Sequence, residues 1–119
     1  MPSTTTYRQR QVVVVNVPFP DQTGAKRRPA LVVSTEAFHS RMLDMIVCPI
    51  SSQQRYFQKP GPGDCPLSTW QAVGLQHPST ARLGALLAVE KALVQRVLGT
   101  LKANDWERVA AGLRRAFGL

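Results

Sequence analysis

The chain is poor in the residue types that build metal centres and disulfide frameworks. Of its 119 residues two are Cys and two are His, and none is spaced as a metal site. Two cysteines in a chain without a secretory signal are more often free thiols than a disulfide. Cys48 lies inside an apolar run and is expected in the core. We therefore expect no metal and no cofactor.

Long apolar runs are also missing. No apolar stretch approaches the roughly 18 residues that a membrane span needs. Residues 1–8 begin Met-Pro-Ser-Thr-Thr-Thr and lack the apolar segment of a secretory signal, so we expect a frayed tail there. A chain of 119 residues with 44% hydrophobic content is long enough for one core. The expectation is a single cytoplasmic domain covering residues 1–119.

Acidic residues are scarce as well. Seven Asp and Glu stand against fifteen Lys and Arg, which gives a net charge of +8. Such a balance favours polyanionic partners, either a nucleic acid or an acidic protein. Composition alone is weak support, but Lys26, Arg27 and Arg28 are contiguous, and Arg55 and Lys59 follow a second motif. If both segments open on one side of a sheet, these cations form one basic patch.

Apolar runs and turn residues divide the chain into short elements. Val-rich runs predict strands at 11–17 and 30–34, joined by a long loop over 18–29 that ends in the three cations. A third apolar run predicts a strand over 43–50. Three Pro and two Gly predict a loop over 58–66. This pattern is typical of a small protein built on short strands.

The C-terminal segment predicts an amphipathic helix. Apolar residues recur there at helical spacing, namely Trp106, Val109, Ala110, Leu113 and Phe117. Asn104 is a favourable N-cap, and Glu107 three residues later resembles a capping box. A helix therefore follows the strands.

Three motifs carry a resemblance to a known family. They are VVVVNVPFPD over 12–21, KRRPALVVS over 26–34 and MIVCPISS over 45–52. In order and spacing they resemble the MazF/PemK family of toxin endoribonucleases, and weaker similarity extends over nearly the whole chain. Members usually have Gly-Asp where Arg10-Gln11 stands here, and usually have Thr at the position of Ser51.

The resemblance implies a fold. It is an α+β fold, a small SH3-like β-barrel of the MazF/CcdB type with a C-terminal α-helix. It also implies a strand near 82–89, a helical turn near 91–93 and a strand near 95–101. Helix propensity alone would instead favour one helix over 83–98. We expect the strands, because tertiary pairing readily overrides propensity.

The resemblance also implies a chemistry. Members are metal-independent endoribonucleases that cut single-stranded RNA, with the neighbouring 2′-hydroxyl as nucleophile. Arg28 and Ser51 match the catalytic positions. A guanidinium suits two phosphate oxygens, and the serine hydroxyl can donate a hydrogen bond to the phosphate; the general base stays open. In the structural alternatives, Arg28 caps a sheet edge or pairs with Asp21, and Ser51 closes a turn.

Further residues are candidates for contacts with RNA. The expected substrate-binding residues are Phe19, Lys26, Arg27, Ser52, Gln53 and Arg55. Phe19 and the pair Tyr56-Phe57 are candidates for base stacking. Trp70 is expected in the core, and polar structural roles are expected for His39 and His77.

The family resemblance implies partners too. These are single-stranded mRNA, a cognate antitoxin with an acidic flexible segment, and a second copy of the chain in a homodimer to which Trp106 and Leu113 contribute. The alternative is a non-catalytic nucleic-acid or protein-binding module on the same barrel. A gyrase-poisoning toxin rests on fold analogy alone, and the RPALVVS and PISS motifs argue against it.

Overall fold

The computed structural model describes residues 6–18 and 25–119. Every strand pairing in this part of the chain is antiparallel. The strands are β1 (Gln11–Pro18), β2 (Ala25–Val32), β3 (Asp44–Ser51), β4 (Asp64–Pro66), β5 (Thr80–Arg82), β6 (Leu87–Glu90) and β7 (Val94–Thr100). The α-helices are α1 (Glu36–His39), α2 (Gln54–Gln58) and α3 (Ala103–Phe117). Among the described residues, no helix is long and apolar enough to cross a membrane.

The strands form one sheet in the order β4-β5-β3-β2-β1-β7, with β6 paired to β3. The pairings found in the described part of the chain do not join β7 to β4 or to β6, so the sheet is open. The expected α+β architecture with an antiparallel sheet and a C-terminal helix is therefore confirmed. Closure into the expected barrel is not.

Strand β1, which lies between β2 and β7, has buried side chains on both faces of the sheet. Val12 belongs to a core that also contains Val109 of α3, whereas Val13 and Val15 belong to a second core that contains Val89 of β6. We call these two sides the helix face and the β6 face. A run of four valines is what a strand buried on both faces requires, because side chains alternate between the faces.

The segment after residue 80 contains strands, as the resemblance implies. β6 pairs with the first half of β3, a 3₁₀ turn follows over Lys91–Leu93, and β7 pairs with β1. The α-helix that propensity favours over 83–98 does not form, because pairing with β3 and β1 satisfies this backbone. The loop expected over 58–66 needs a correction, since its last three residues form β4. There Cys65 pairs with Ala81.

Helix α3 begins two residues earlier than expected, at Ala103. Its N-cap is Lys102, which makes no side-chain capping bond, so the prediction of Asn104 as N-cap is wrong. Trp106 and Leu113 are half-buried against the core on the helix face. Much of their apolar surface is therefore used within the chain itself. Phe117, at the end of the stripe, is 60% exposed.

A buried carboxylate in the first turn of α3 anchors the loop that follows β4. Asp105 is 0% exposed and accepts hydrogen bonds from both the backbone N–H and the hydroxyl of Ser68 and of Thr69, at 2.5 to 3.0 Å. Arg108 forms an ion pair with the same carboxylate at 2.5 Å. Burial by itself would raise the pKa of Asp105, but the bonds from Thr69 and Ser68 outweigh it and hold the pKa well below its usual range.

Arg10 occupies a backbone conformation that favours glycine. Its φ is 84°, and members of the MazF/PemK family usually have Gly at this position. Such a φ strains a residue with a side chain. Three hydrogen bonds hold it: the Arg10 N–H donates to Val32, the Leu101 N–H donates to the Arg10 carbonyl, and the guanidinium donates to the Leu101 carbonyl at 2.8 Å. These contacts join the start of β1 to the end of β7.

We expect Asp105→Asn to lower the free energy of unfolding at pH 7 by about 2–3 kcal/mol. An amide has only one acceptor oxygen, and its NH₂ group would face the N–H and O–H donors of Ser68 or Thr69. The depressed pKa adds a pH dependence. The ionised Asp105 carboxylate stabilises the folded state fully at pH values above about 3.9, the pKa of Asp in the unfolded chain. This stabilisation is lost as the pH falls toward the lower pKa that Asp105 has in the folded state. Urea unfolding at pH 7 and between pH 5 and 3 measures both effects.

The matched control is Glu107→Gln, which removes one exposed carboxylate from the same helix. It should change stability by less than about 0.5 kcal/mol. Equal unfolding midpoints for the two variants would contradict the anchoring role of Asp105.

Candidate active site and nucleic-acid interface

The three contiguous cations lie within a strand and not in the preceding loop. β2 begins at Ala25, five residues before the predicted start. Because side chains alternate along a strand, Arg28 lies on the β6 face with Ala30, and Arg27 lies on the helix face with Leu31. The single basic patch expected from the sequence is therefore divided between the two faces.

Arg28 and Ser51 share one face and one end of the sheet. The β2–β3 pairing ends at Ala30 and Pro49, and Arg28 and Ser51 lie two residues beyond these positions, on the same face as Ala30 and Pro49 because side chains alternate along a strand. Arg28 is exposed and lines a mainly apolar cavity of about 230 Å³ whose walls include Pro49 and Leu87. Arg28 is therefore a solvent-exposed cation beside an apolar cavity.

Ser51 has a structural contact of its own. Its hydroxyl oxygen accepts a hydrogen bond from the backbone N–H of Gln53 at 3.2 Å, which closes the turn into α2. This matches the turn-closing alternative, but accepting a bond leaves the hydroxyl proton for donation elsewhere. Thr80 of β5 pairs with Ser51, and the buried hydroxyl of Thr80 has no hydrogen-bond partner among the described residues.

Helix α2 is held to the sheet through Tyr56. The guanidinium of Arg82 lies 3.8 Å from the centre of the Tyr56 ring and pairs with Asp64 at 2.7 Å. Arg55 donates to the Tyr56 hydroxyl at 2.7 Å. Since guanidinium contacts already engage this ring, Tyr56 is a poor platform for a base. Phe57, its neighbour, lines an open cavity instead.

A groove opens on the helix face, opposite Arg28. It consists of a cavity of about 330 Å³ and a second of about 440 Å³, which share Ser52 and His77. Arg27 and Arg96 line the first cavity and Phe57 lines the second. Sequence reasoning placed Arg27 and Ser52 among the substrate-binding residues but missed Arg96 and His77. Strand pairing places Arg96 there and the packing of a long loop places His77, so no local sequence pattern signalled either residue.

Other expectations have simple outcomes. Gln53 is exposed and occupies the N-cap position of α2 without making a side-chain capping bond. Phe19 and Asp21 lie outside the described residues, as does the alternative Arg28–Asp21 pair.

His39 is 1% exposed, with its ring between the Ser34 hydroxyl and the Tyr7 carbonyl, so its predicted structural role is confirmed. Trp70 packs against the core as predicted.

The two cysteines are not placed to act as nucleophiles. Cys48 and Cys65 are free and buried. Burial raises the pKa of the Cys48 thiol to about 12 and also raises that of Cys65, which keeps both as unreactive thiols at neutral pH. Within the described ranges, His, Cys, Asp and Glu form no cluster of three that could hold a metal ion.

The loop that contains His77 packs directly against β7. Gly74 has a φ of +91°, and a Cβ there would lie 3.5 Å from Leu98. A Cβ on Gly99 would lie 3.2 Å from the Val73 carbonyl oxygen. The buried hydroxyl of Ser79 then donates to the His77 carbonyl at 2.7 Å. Together with the Asp105 anchor, these contacts fix the loop along the groove.

Comparisons with known proteins place this fold in a class. A family model described as PemK-like, MazF-like toxin of type II toxin–antitoxin system matches residues 8–117. No curated protein sequence matches the chain significantly. The chain is thus a small α+β protein of the type II toxin–antitoxin class. It belongs to the PemK-like, MazF-like toxin family.

Solved structures show the same fold at low sequence identity. Mycobacterium tuberculosis toxin MazF-mt6 is 22% identical with a TM-score of 0.72, over 92% of this chain and 98% of that one. MazE–MazF (Form-II) from Deinococcus radiodurans is 21% identical with a TM-score of 0.74, over 97% and 98%. A mycobacterial endoribonuclease in complex with its cognate antitoxin is 16% identical with a TM-score of 0.73, over 98% and 97%.

We expect Gly74→Ala to lower the free energy of unfolding by about 1–2 kcal/mol, because a side chain is strained at this positive φ. Gly84→Ala is the matched control, since a Cβ there meets nothing within 4 Å. Thermal and urea unfolding of both variants measure the difference. Equal loss in the two would mean that Gly74 has no special conformational role.

Proposed function

We propose that this protein is a metal-independent endoribonuclease that cleaves single-stranded RNA, acting as the toxin of a type II toxin–antitoxin pair. The observation that carries the proposal is the shared position of Arg28 and Ser51. Both lie on the β6 face at the same end of neighbouring strands, and Arg28 is exposed. Family membership supports the same activity.

In the proposed reaction the 2′-oxygen of a nucleotide attacks the adjacent phosphorus. A P–O2′ bond forms and the P–O5′ bond breaks, leaving a 2′,3′-cyclic phosphate and a 5′-hydroxyl. The 2′-hydroxyl proton goes to a base that is not assigned, and the leaving 5′-oxygen takes up a proton. No external redox partner or metal enters this balance.

Arg28 has the main electrostatic role in this scheme. Negative charge builds up on the equatorial oxygens in the transition state, and a planar guanidinium can hold two of them at once. Such pre-positioned donors account for a large part of many enzymes' rate enhancement. Ser51 donates its hydroxyl proton to a phosphate oxygen while its lone pair holds the Gln53 N–H.

The proposed protein partners are an antitoxin and a second copy of the chain. Two of the similar structures are complexes, one of an endoribonuclease with its cognate antitoxin and one of MazE with MazF. The net charge of +8 favours an acidic, flexible segment as the part that covers the site. RNA as substrate makes the cytoplasm the proposed compartment.

The second candidate is a non-catalytic RNA- or protein-binding module on the same fold. One observation favours it: the Ser51 hydroxyl, which stands where family members usually have Thr, already closes the turn with Gln53. A module of this kind would bind single-stranded RNA without cutting it.

The purified protein should cleave single-stranded RNA in EDTA, and Arg28→Ala should lower kcat/KM by about 10²–10³-fold because a transition-state donor is removed. Arg28→Lys keeps the charge but not the fork, so we expect an intermediate rate. Gel analysis of end-labelled RNA measures both the rate and the cyclic-phosphate end.

Because Arg28 is exposed, its replacement by Ala should change stability by less than about 0.5 kcal/mol. Loss of activity together with a collapse of the thermal midpoint would support the sheet-capping alternative instead. Failure of the folded wild type to cut any RNA would favour the binding module.

Replacing Ser51 by Thr should retain or raise the cleavage rate, whereas Ser51→Ala should lower it about tenfold, the equivalent of one missing hydrogen bond. Because Ser51 also closes a turn, urea unfolding of each variant is measured beside the rate. Equal rates for the Ala variant and the wild type would remove Ser51 from the mechanism.

A further inference from the structure

The groove on the helix face has the composition of a site for a flexible polyanion. Its floor is apolar and includes Val14, Pro29 and Leu98, and its rim carries Arg27 and Arg96. Among the described residues, fifteen line the two cavities that form it, and none of these fifteen is Asp or Glu. An apolar floor beneath unopposed cations suits a base together with its phosphate.

The two arginines are held on one face by strand pairing. Arg96 of β7 pairs with Val14 of β1, which pairs with Pro29 of β2 on its other side. Arg27 lies two residues before Pro29, so it points to the same face. The rim arginines are therefore two strands apart, about 10 Å at the usual strand spacing, and offset by two residues along the strand direction, so their backbones are roughly 12 Å apart.

Neither rim arginine has an ion-pair partner in the part of the chain that the structure describes. The other clustered cations differ, because Arg82 and Arg108 pair with Asp64 and Asp105. Two like charges facing one cavity repel each other, and an anion between them relieves that repulsion. The pair thus marks a binding position for phosphate.

Aromatic side chains continue the groove beyond the arginines. His77, exposed and fixed through its carbonyl by Ser79, borders both cavities. Phe57 lines the second cavity. Imidazole and phenyl rings are the usual stacking platforms for unpaired bases. The order along the groove is therefore two cations, then a histidine, then a phenylalanine.

We propose that this groove binds a stretch of single-stranded RNA flanking the scissile bond, with Arg27 and Arg96 on phosphates and His77 and Phe57 beside bases. The inference rests on the proposed RNA substrate. Because Arg27 and Arg28 are adjacent but lie on opposite faces, the RNA strand passes around the end of β2. Arg28 then contacts the scissile phosphate on the β6 face while the flank lies on the helix face.

The test uses RNA that cannot be cut. A fluorescent pool of random-sequence 12-nucleotide RNAs with every 2′-hydroxyl methylated lacks the nucleophile, so its binding is independent of cleavage. We expect Arg96→Gln to weaken binding about three- to tenfold and to reduce the slope of log affinity against log salt by about 0.7, the value for one phosphate contact on a single strand. His77→Ala should weaken binding with the slope unchanged.

Arg41→Gln is the matched control, because it removes the same charge from an exposed residue near the opposite end of β3. If Arg96→Gln and Arg41→Gln behave alike, only net charge matters and the groove is not an RNA site. If Arg96→Gln weakens binding of a poly-glutamate peptide while RNA binding stays at the level of Arg41→Gln, the groove is a protein site and the inference is also overturned.

The two proposals fail separately. If the wild type does not cut unmodified RNA but Arg96→Gln lowers affinity for the methylated pool, the groove stands without the catalytic assignment. If the wild type cuts RNA and Arg96→Gln matches Arg41→Gln in affinity and salt slope, the groove alone is wrong.

Discussion

Side-chain alternation along β2 determines which face of the sheet carries each of the three contiguous cations. The sequence places Lys26, Arg27 and Arg28 side by side, yet a strand turns neighbouring side chains to opposite faces. The register with β1 and β3 then decides what stands beside each one. Arg28 lines the same cavity as Pro49 of β3, whereas Arg27 lines the groove together with Arg96. One short basic run thereby serves two surfaces.

That geometry depends on elements some distance from the cations. β1, buried on both faces, sets the position of β2 and β7 alike. The strained backbone of Arg10 holds the start of β1 against Leu101. Asp105 holds the loop that leads to His77, through four hydrogen bonds that remain only while its carboxylate is ionised. A buried charge so fully satisfied contributes specificity of loop position as well as stability.

The sequence was a good guide where local pattern and pairing agree. Val-rich β1 and the apolar stripe of α3 could be predicted from periodicity, because burial on given faces imposes it. The start of β2 could not, since Lys26 to Arg28 look like a loop end and only pairing with β1 draws them into a strand. Arg96 could not be placed either. Its neighbours are set by a pairing across more than sixty residues, with two register shifts along it.

Adjacent placement of Arg27 and Arg28 bears on how an antitoxin could inhibit the proposed reaction. The two guanidiniums leave one strand in opposite directions, so a single acidic segment laid across the end of β2 would meet both. An acidic segment that contacts these cations competes with phosphate for them, and RNA affinity falls as fewer phosphates are held. An inhibitor of this kind needs to cover only the end of the strand and need not fill the whole groove. Competition by charge over a small area then suffices, which suits a flexible partner that orders few residues on binding.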